Sequence, residues 1–286
     1  MDKKKKEGSM KCIAAIGAAI LFIVVVLCAM EYDKGTDENY DIVCLGDSNF
    51  GNDRTETGTV NLLEKKTGKR ILNGAFGGSM MQNLYGTKTA YQSALSMYNL
   101  AIAICNHNFG AQKSAIKTLE RTDYVGYFSA TLEELSNVDF NRVEILIIEH
   151  GVNDYMMGTP IKNGVDAYDV NTFTGALRNI IPMLKEKYPA LRIILVTPSY
   201  CAPVKADGLN YPCDEYAYDV HYLEDYVNAE LEVAKELEVE IVDLYHGMDI
   251  HAGNYMDYLY DGLHYNDEGR AMVSDIIADY LMGDEK

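Results

Sequence analysis

The chain has 286 residues, with 25 basic side chains against 43 acidic ones and a formal charge of −18. A surface that acidic repels phosphate backbones, which argues against nucleic acid as a partner. Once an apolar N-terminal run is set aside, about 250 residues remain, enough for one large domain with a sizeable core.

Residues 1–11 carry Lys3, Lys4, Lys5, Lys6 and Lys11 against Asp2 and Glu7, and residues 12–30 (CIAAIGAAILFIVVVLCAM) hold no charge. As a helix rising 1.5 Å per residue, that run spans about 28 Å, close to the hydrocarbon thickness of a bilayer. Glu31, Asp33, Asp37 and Glu38 follow it. Lysines before and acids after place the N-terminus in the cytoplasm and the bulk of the chain outside. A cleaved signal peptide is the competing reading, but Leu27-Cys28-Ala29-Met30 is a poor cleavage site, and Leu27 stands where a lipidated Cys28 would need a small residue. The expectation is a basic cytoplasmic segment at 1–11, an uncleaved anchor at 12–30, a polar linker at 31–40 and one domain at 41–286.

The domain opens on DIVCLGDSNF, residues 41–50. A short apolar run ending in glycine suits a buried parallel strand, with Asp47 and Ser48 just past its carboxyl end. Helical spacing then covers residues 57–66, stopped by Gly68, and a brief second strand covers 69–72. It runs into Asn73-Gly74-Ala75-Phe76-Gly77-Gly78-Ser79, whose glycines permit close backbone approach or positive φ. Residues 80–138 are mostly helical in pattern, over 91–104, 111–119 and 129–135. Their Met, Leu, Ile and Tyr at three- and four-residue spacing read as core packing. The whole of 79–140 reads as a helical insertion that shapes a pocket over the sheet edge.

Residues 143–148 (VEILII) are the clearest buried strand, followed by Glu149-His150-Gly151-Val152-Asn153-Asp154. An amphipathic helix over 171–188 contains Pro182, where a kink is expected. A fourth strand covers 191–196, a long acidic helix 216–237 and a fifth strand 239–244. An irregular loop over 245–264 and a closing helix over 267–281 complete the chain. Strands alternating with helices imply a parallel sheet covered on both faces. There is no repeat and no low-complexity tract.

Chemistry-bearing residues gather after the strands. Gly46-Asp47-Ser48 follows strand one, Gly78 follows strand two, Gly151-x-Asn153-Asp154 follows strand three, and Asp261-x-x-His264 lies beyond strand five. In that order the chain resembles the SGNH hydrolases, the GDSL-type esterase and lipase superfamily, over most of residues 41–282. The resemblance implies a flavodoxin-like three-layer α/β/α domain with a five-stranded parallel sheet. It also implies Ser48 as nucleophile, His264 as base and Asp261 as acid. Ser48, Gly78 and Asn153 would be the oxyanion donors, with Asp47, Gly151 and Asp154 in support. No cofactor or metal is expected. Two departures stand out: Asn49 replaces the leucine that usually follows Gly-Asp-Ser, and the Gly77-Gly78 pair leaves the donating glycine open by one residue.

The chemistry stands without the resemblance. A hydroxyl needs a base to take its proton, and imidazole is suited to that work. A carboxylate three residues earlier can orient the ring and stabilise its charged form. The expected function is a serine esterase acting on O-acyl esters, O-acetyl among them, of cell-surface glycans or on small esters. An O-acyltransferase on cell-envelope polymers would use the same residues.

Two further classes stay open, a metal-dependent hydrolase and an anchored protein that only binds. His246, Asp249 and His251 cluster after strand five, but no His-Glu-x-x-His occurs, and nor does the Gly-x-Ser-x-Gly of α/β-hydrolases. His150 reads as a pocket or strand-end residue, and His107 and His221 have no evident partner. Tyr255, Tyr258, Tyr260 and Tyr265 lie near the last block and could stack on a sugar. Cys12 and Cys28 fall in the apolar run, Cys44 in a core strand and Cys105 in a mixed segment, while Cys201 and Cys213 flank a proline-containing loop and are candidates to pair.

Overall fold

The computed structural model describes residues 39–84, 90–119 and 125–283. The basic segment and the span expected at 12–30 lie outside the described residues. Among the described residues no helix is long and apolar enough to cross a membrane.

Five strands form one parallel sheet: β1 (Ile42–Gly46), β2 (Ile71–Asn73), β3 (Ile145–Glu149), β4 (Arg192–Val196) and β5 (Glu240–Val242). Their order is β2-β1-β3-β4-β5. Every residue of β1 and β3 is buried, as is β4 after Arg192. A strand covered on both faces has no reason to alternate, so apart from Glu149 at the end of β3 and Arg192 at the start of β4 these three are runs of apolar residues. Ile42 lies beside both Ile71 and Ile145, and Gly46 beside Glu149, so β1 and β3 end at the same level. The chain leaves β1 toward β2 and returns past it to β3, which makes the gap between the ends of β1 and β3 the crevice where such sheets bind ligands.

Right-handed crossovers put helix Thr59–Thr67, between β1 and β2, on the opposite face from the helices after β3 and β4. Helix Asp267–Gly283 packs beside Thr59–Thr67, while Met97–Asn106 and Leu223–Glu236 both pack on Phe173–Lys187. The result is three layers. Helix Phe173–Lys187 shows why the pattern works: Thr172 caps it by accepting the Gly175 N–H at 3.2 Å, and Leu177, Ile180, Ile181 and Leu184 line its buried stripe. Pro182 sits inside that helix, which continues past it to Lys187.

Two expected helices begin differently. The pattern over 91–104 divides into Ala90–Ala94 and Met97–Asn106, because Ser96 turns extended and caps the second piece. The acidic helix starts at Leu223 rather than 216. Before it, Asp219 adopts φ +57° and Tyr218 bridges His221, a turn stabilised locally that helical spacing does not reveal. The loop over 245–264 holds a short helix, Leu244–Gly247, and a 3-10 turn, Tyr255–Asp257. Within 79–140, Leu100, Ala101, Ile104, Leu132 and Leu135 are buried in the main core, so this stretch supplies part of a helical layer in the crossover from β2 to β3.

Candidate active site

Gly46 is the last residue of β1, where a side chain would press on Glu149, whose carbonyl oxygen and Oε2 would each lie 3.1 Å from its Cβ. Asp47 follows as the cap of the one-turn helix Ser48–Gly51, accepting the Asn49 N–H at 2.9 Å. Ser48 is thereby the first residue of a turn that begins at the sheet edge, and its own N–H has no acceptor among the described residues.

The last block reaches the same place from the far end of the chain. His264 Nε2 lies 3.0 Å from Ser48 Oγ, and His264 Nδ1 lies 2.7 Å from Asp261 Oδ2. Asp261 Oδ1 accepts the backbone N–H groups of Leu263 at 3.0 Å and His264 at 2.8 Å. Burial alone would raise the Asp261 carboxyl, but the hydrogen bonds from His264 and the Leu263 amide outweigh it and hold it below its ordinary range. Gly262 has φ +80°, and a Cβ there would come within 2.2 Å of the Ala202 carbonyl, so only glycine fits between acid and base. Tyr260 stacks on the His264 ring, with centroids 5.7 Å apart and planes 19° apart.

The third block is anchored by Gly151 at φ +132°, from which helix Val152–Met156 starts. Asn153 Nδ2 donates to Asp47 Oδ2 at 2.9 Å and to the Ser79 carbonyl at 3.1 Å. Asp154 Oδ2 accepts the Met81 N–H at 2.9 Å. Both residues therefore hold the stretch that follows Gly78. In the second block Gly77 donates its N–H to the Tyr127 hydroxyl at 2.9 Å, and Ser79 donates its own to Phe76. The Gly78 N–H has no acceptor among the described residues, and Gly78 sits at φ +74°. Of the glycine pair, Gly78 is the one with a donor to offer.

Carboxyls crowd beneath this surface. Burial raises Asp47 to about 6, and it raises Glu149 and Glu230 above their usual range as well. Burial likewise lifts Asp154 to about 7 from an ordinary 3.8. A carboxyl whose folded value lies above its unfolded one contributes its full stability below about pH 4 and loses it as pH rises through the folded value. Asp154→Asn, neutral throughout, should therefore gain on the native protein by roughly 2 kcal/mol between pH 5 and pH 8. Urea unfolding of both proteins at the two pH values checks this, and an unchanged difference would show that Asp154 does not titrate in that window.

His150 stands at the strand end, just past β3. His150 is fully buried, donating or accepting at 3.0 Å with Ser79 Oγ, and burial lowers it to about 3, so it is a neutral packing residue. His246 Nδ1 pairs with Asp243 Oδ2 at 2.7 Å, whereas His251 Nδ1 accepts the Gly253 N–H at 3.0 Å. Among the described residues no three His, Cys, Asp or Glu side chains converge as metal ligands. Cys201 and Cys213 are adjacent buried free thiols, with the Cys201 N–H donating to Cys213 Sγ at 3.4 Å. Of the four tyrosines near the last block, Tyr265 is buried with its hydroxyl on Ser199, and Tyr260 is 58 % exposed.

A cavity of about 290 Å³ opens at Ser48, lined by Asn49, Arg54, Thr55, Tyr260, His264 and others. That lies at the low end for ligand pockets. Arg54 and Tyr127 escaped the sequence reading, because neither belongs to a motif and the contacts that tie them to the second block span 19 to 50 positions of the chain.

The profile of the GDSL-like lipase/acylhydrolase family matches residues 44–272. Among solved structures, a protein from Lactobacillus plantarum is 16 % identical and superposes with a TM-score of 0.60 over 85 % of this chain and 97 % of its own. A protein described as a possible lipase from Chitinophaga pinensis is 18 % identical, with a TM-score of 0.56 over 85 % and 97 %. The acetyl xylan esterase AlAXEase is 16 % identical, with a TM-score of 0.50 over 84 % and 99 %. At these identities the likeness is one of fold. No curated protein matches the chain.

Proposed function

The chain belongs to the GDSL-like lipase/acylhydrolase family and is a serine hydrolase, and on that premise we propose that it cleaves short O-acyl esters through an acyl-enzyme on Ser48. The observation that carries this reading is the continuous line from Asp261 Oδ2 through His264 to Ser48 Oγ, with links of 2.7 and 3.0 Å. His264 Nε2 takes the Ser48 proton as Oγ attacks the acyl carbonyl, and the carbonyl electron pair moves onto oxygen. The proton then passes to the departing alcohol as the C–O bond breaks. Water repeats the sequence on the acyl-enzyme, releasing the acid and restoring Ser48.

The tetrahedral oxygen needs donors, and the Ser48 and Gly78 N–H groups have no acceptor among the described residues. Asn153 can turn its second N–H from the Ser79 carbonyl toward that oxygen while Asp47 keeps its grip on the amide. One such donor is worth about 3 to 4 kcal/mol in other acyl-transfer enzymes, so Asn153→Ala should lower kcat roughly a hundred- to a thousandfold. Steady-state kinetics decide it, and a loss under tenfold would remove Asn153 from the oxyanion site.

A small cavity with Asn49, Arg54 and Thr55 in its wall favours an acetyl-sized acyl group on a hydroxylated alcohol. The half-exposed Tyr260 ring offers a face for a sugar. Together with the uncharged run at 12–30, this suits O-acetyl groups of cell-surface glycans, with the domain held outside the membrane. Rates of the full chain on p-nitrophenyl acetate, butyrate and octanoate test the acyl size: acetate should be fastest, and a preference for octanoate would overturn the assignment. Protease added to intact cells should digest the domain, and complete protection would contradict the orientation. Acyl transfer to an added sugar in place of acetate release would identify the acceptor as a hydroxyl instead of water.

A further inference from the structure

The Gly77–Gly78 turn is held from both sides. Downstream, the Ser79 carbonyl accepts from Asn153, Ser79 Oγ meets His150, and the Met81 N–H donates to Asp154. These holds come from the third block. Upstream, they come from two residues outside every motif.

Arg54 donates from Nη1 to the Asn73 carbonyl and from Nη2 to the Ala75 carbonyl, each at 2.9 Å, and from Nε to the Gly51 carbonyl at 3.0 Å. It thus ties the helix that carries Ser48 to the strand end that leads to Gly78. The Tyr127 ring lies under the guanidinium, 4.2 Å from its carbon. The Tyr127 hydroxyl accepts the Gly77 N–H at 2.9 Å and donates to Asn52 Oδ1 at 3.2 Å. A Cβ on Gly51 would meet that hydroxyl at 2.7 Å and the Ala75 carbonyl at 3.1 Å, so glycine at 51 is what lets these groups close together.

Two adjacent glycines have little conformational preference of their own, and a turn built from them keeps one geometry only if its neighbours impose it. An oxyanion donor works only when it is aimed within about 3 Å of the developing charge, and an error near 1 Å can cost about a hundredfold. We propose that Arg54 and Tyr127 are positioning residues that fix the Gly77 peptide and so aim the Gly78 N–H at the oxyanion. The Tyr127 hydroxyl occupies the Gly77 donor, and the Arg54 fork sets the path of residues 73–75 beneath it. This rests on the reading of Ser48 as nucleophile and Gly78 as donor. It gives the helical crossover between β2 and β3 a part in catalysis, since Tyr127 is its contribution to the site.

The test measures Tyr127→Phe, Arg54→Lys, the double variant and Ser48→Ala on p-nitrophenyl acetate with the full chain. It adds inhibition by phenylboronic acid, which takes up a serine hydroxyl as a tetrahedral anion. Tyr127→Phe keeps the ring and loses only the hydroxyl. It should lower kcat about tenfold, leave KM within twofold and weaken the boronate by a factor matching the loss of kcat. Arg54→Lys cannot span three carbonyls and should act in the same direction, with the double variant losing less than the product of the two. A protein merely loosened would lose thermal stability without that parallel between kcat and boronate affinity. Wild-type kcat and boronate affinity in Tyr127→Phe, with activity still lost in Ser48→Ala, would overturn the positioning role alone. Activity retained in Ser48→Ala would instead overturn the reading beneath it.

Discussion

Ser48→Ala is expected to lower kcat by about five to six orders of magnitude, leaving KM close to the native value. The size follows from what the hydroxyl does: without it no acyl-enzyme forms, and His264 has nothing to deprotonate but water. The residual rate would come from binding and from the oxyanion donors, which do not depend on the Ser48 side chain. The Ser48 backbone N–H, the Gly78 N–H and the Asn153 amide all remain. Removing one Oγ from a site where Ser48 is 5 % exposed leaves the surrounding fold in place, so the loss is chemical. Hydrolysis of p-nitrophenyl acetate by matched preparations measures it, with circular dichroism to show the variant folded. Comparable rates in both proteins would mean another group attacks the ester.

Asp261→Asn is expected to lower kcat by about four orders of magnitude, although the side chain keeps its size. The reason lies in the two carboxylate oxygens having different partners. Oδ1 accepts two backbone N–H groups, from Leu263 and His264, so the amide oxygen of asparagine must take that place. The amide NH2 then falls at the Oδ2 position, where it faces His264 Nδ1. Two donors cannot face one another, so the imidazole gives up its Nδ1 proton and carries it on Nε2. An Nε2–H can donate to Ser48 Oγ but cannot take its proton. The measured quantity is kcat of Asp261→Asn on the same ester, and a loss under tenfold would show that the tautomer is set elsewhere.

The parts of this molecule that the sequence discloses are those whose causes are local. β1, β3 and β4 have their middles buried on both faces, so they appear as apolar runs of four residues without the alternation of a half-exposed strand. Ser48 and Asn153 stand in the short helices that open just past β1 and β3, and Asp261 and His264 in the glycine-containing loop well beyond β5, so polar groups gather at the crevice where such sheets bind ligands. What stayed hidden depends on contacts between distant residues. Whether Gly77 or Gly78 offers its N–H turns on the Tyr127 hydroxyl, fifty positions away. His150 reads as a pocket or a strand-end residue from its place after the third strand, and only its contacts decide for the second: it is buried, with Ser79 Oγ 3.0 Å from its Nε2. The late start of helix Leu223–Glu236 reflects a left-handed Asp219, which no period of apolar residues encodes. Arg54 carries no motif, and its part emerges only where the fold brings three carbonyls to its guanidinium.

The most direct measurement is covalent. The full chain is incubated with a fluorophosphonate and digested, and the modified peptide is located by mass spectrometry. The triad reading predicts a single adduct on Ser48, formed at wild-type rate only while His264 is present and strongly slowed in His264→Ala. A protein that hydrolyses acetate esters yet leaves Ser48 unmodified, or carries the label on another residue, would contradict it.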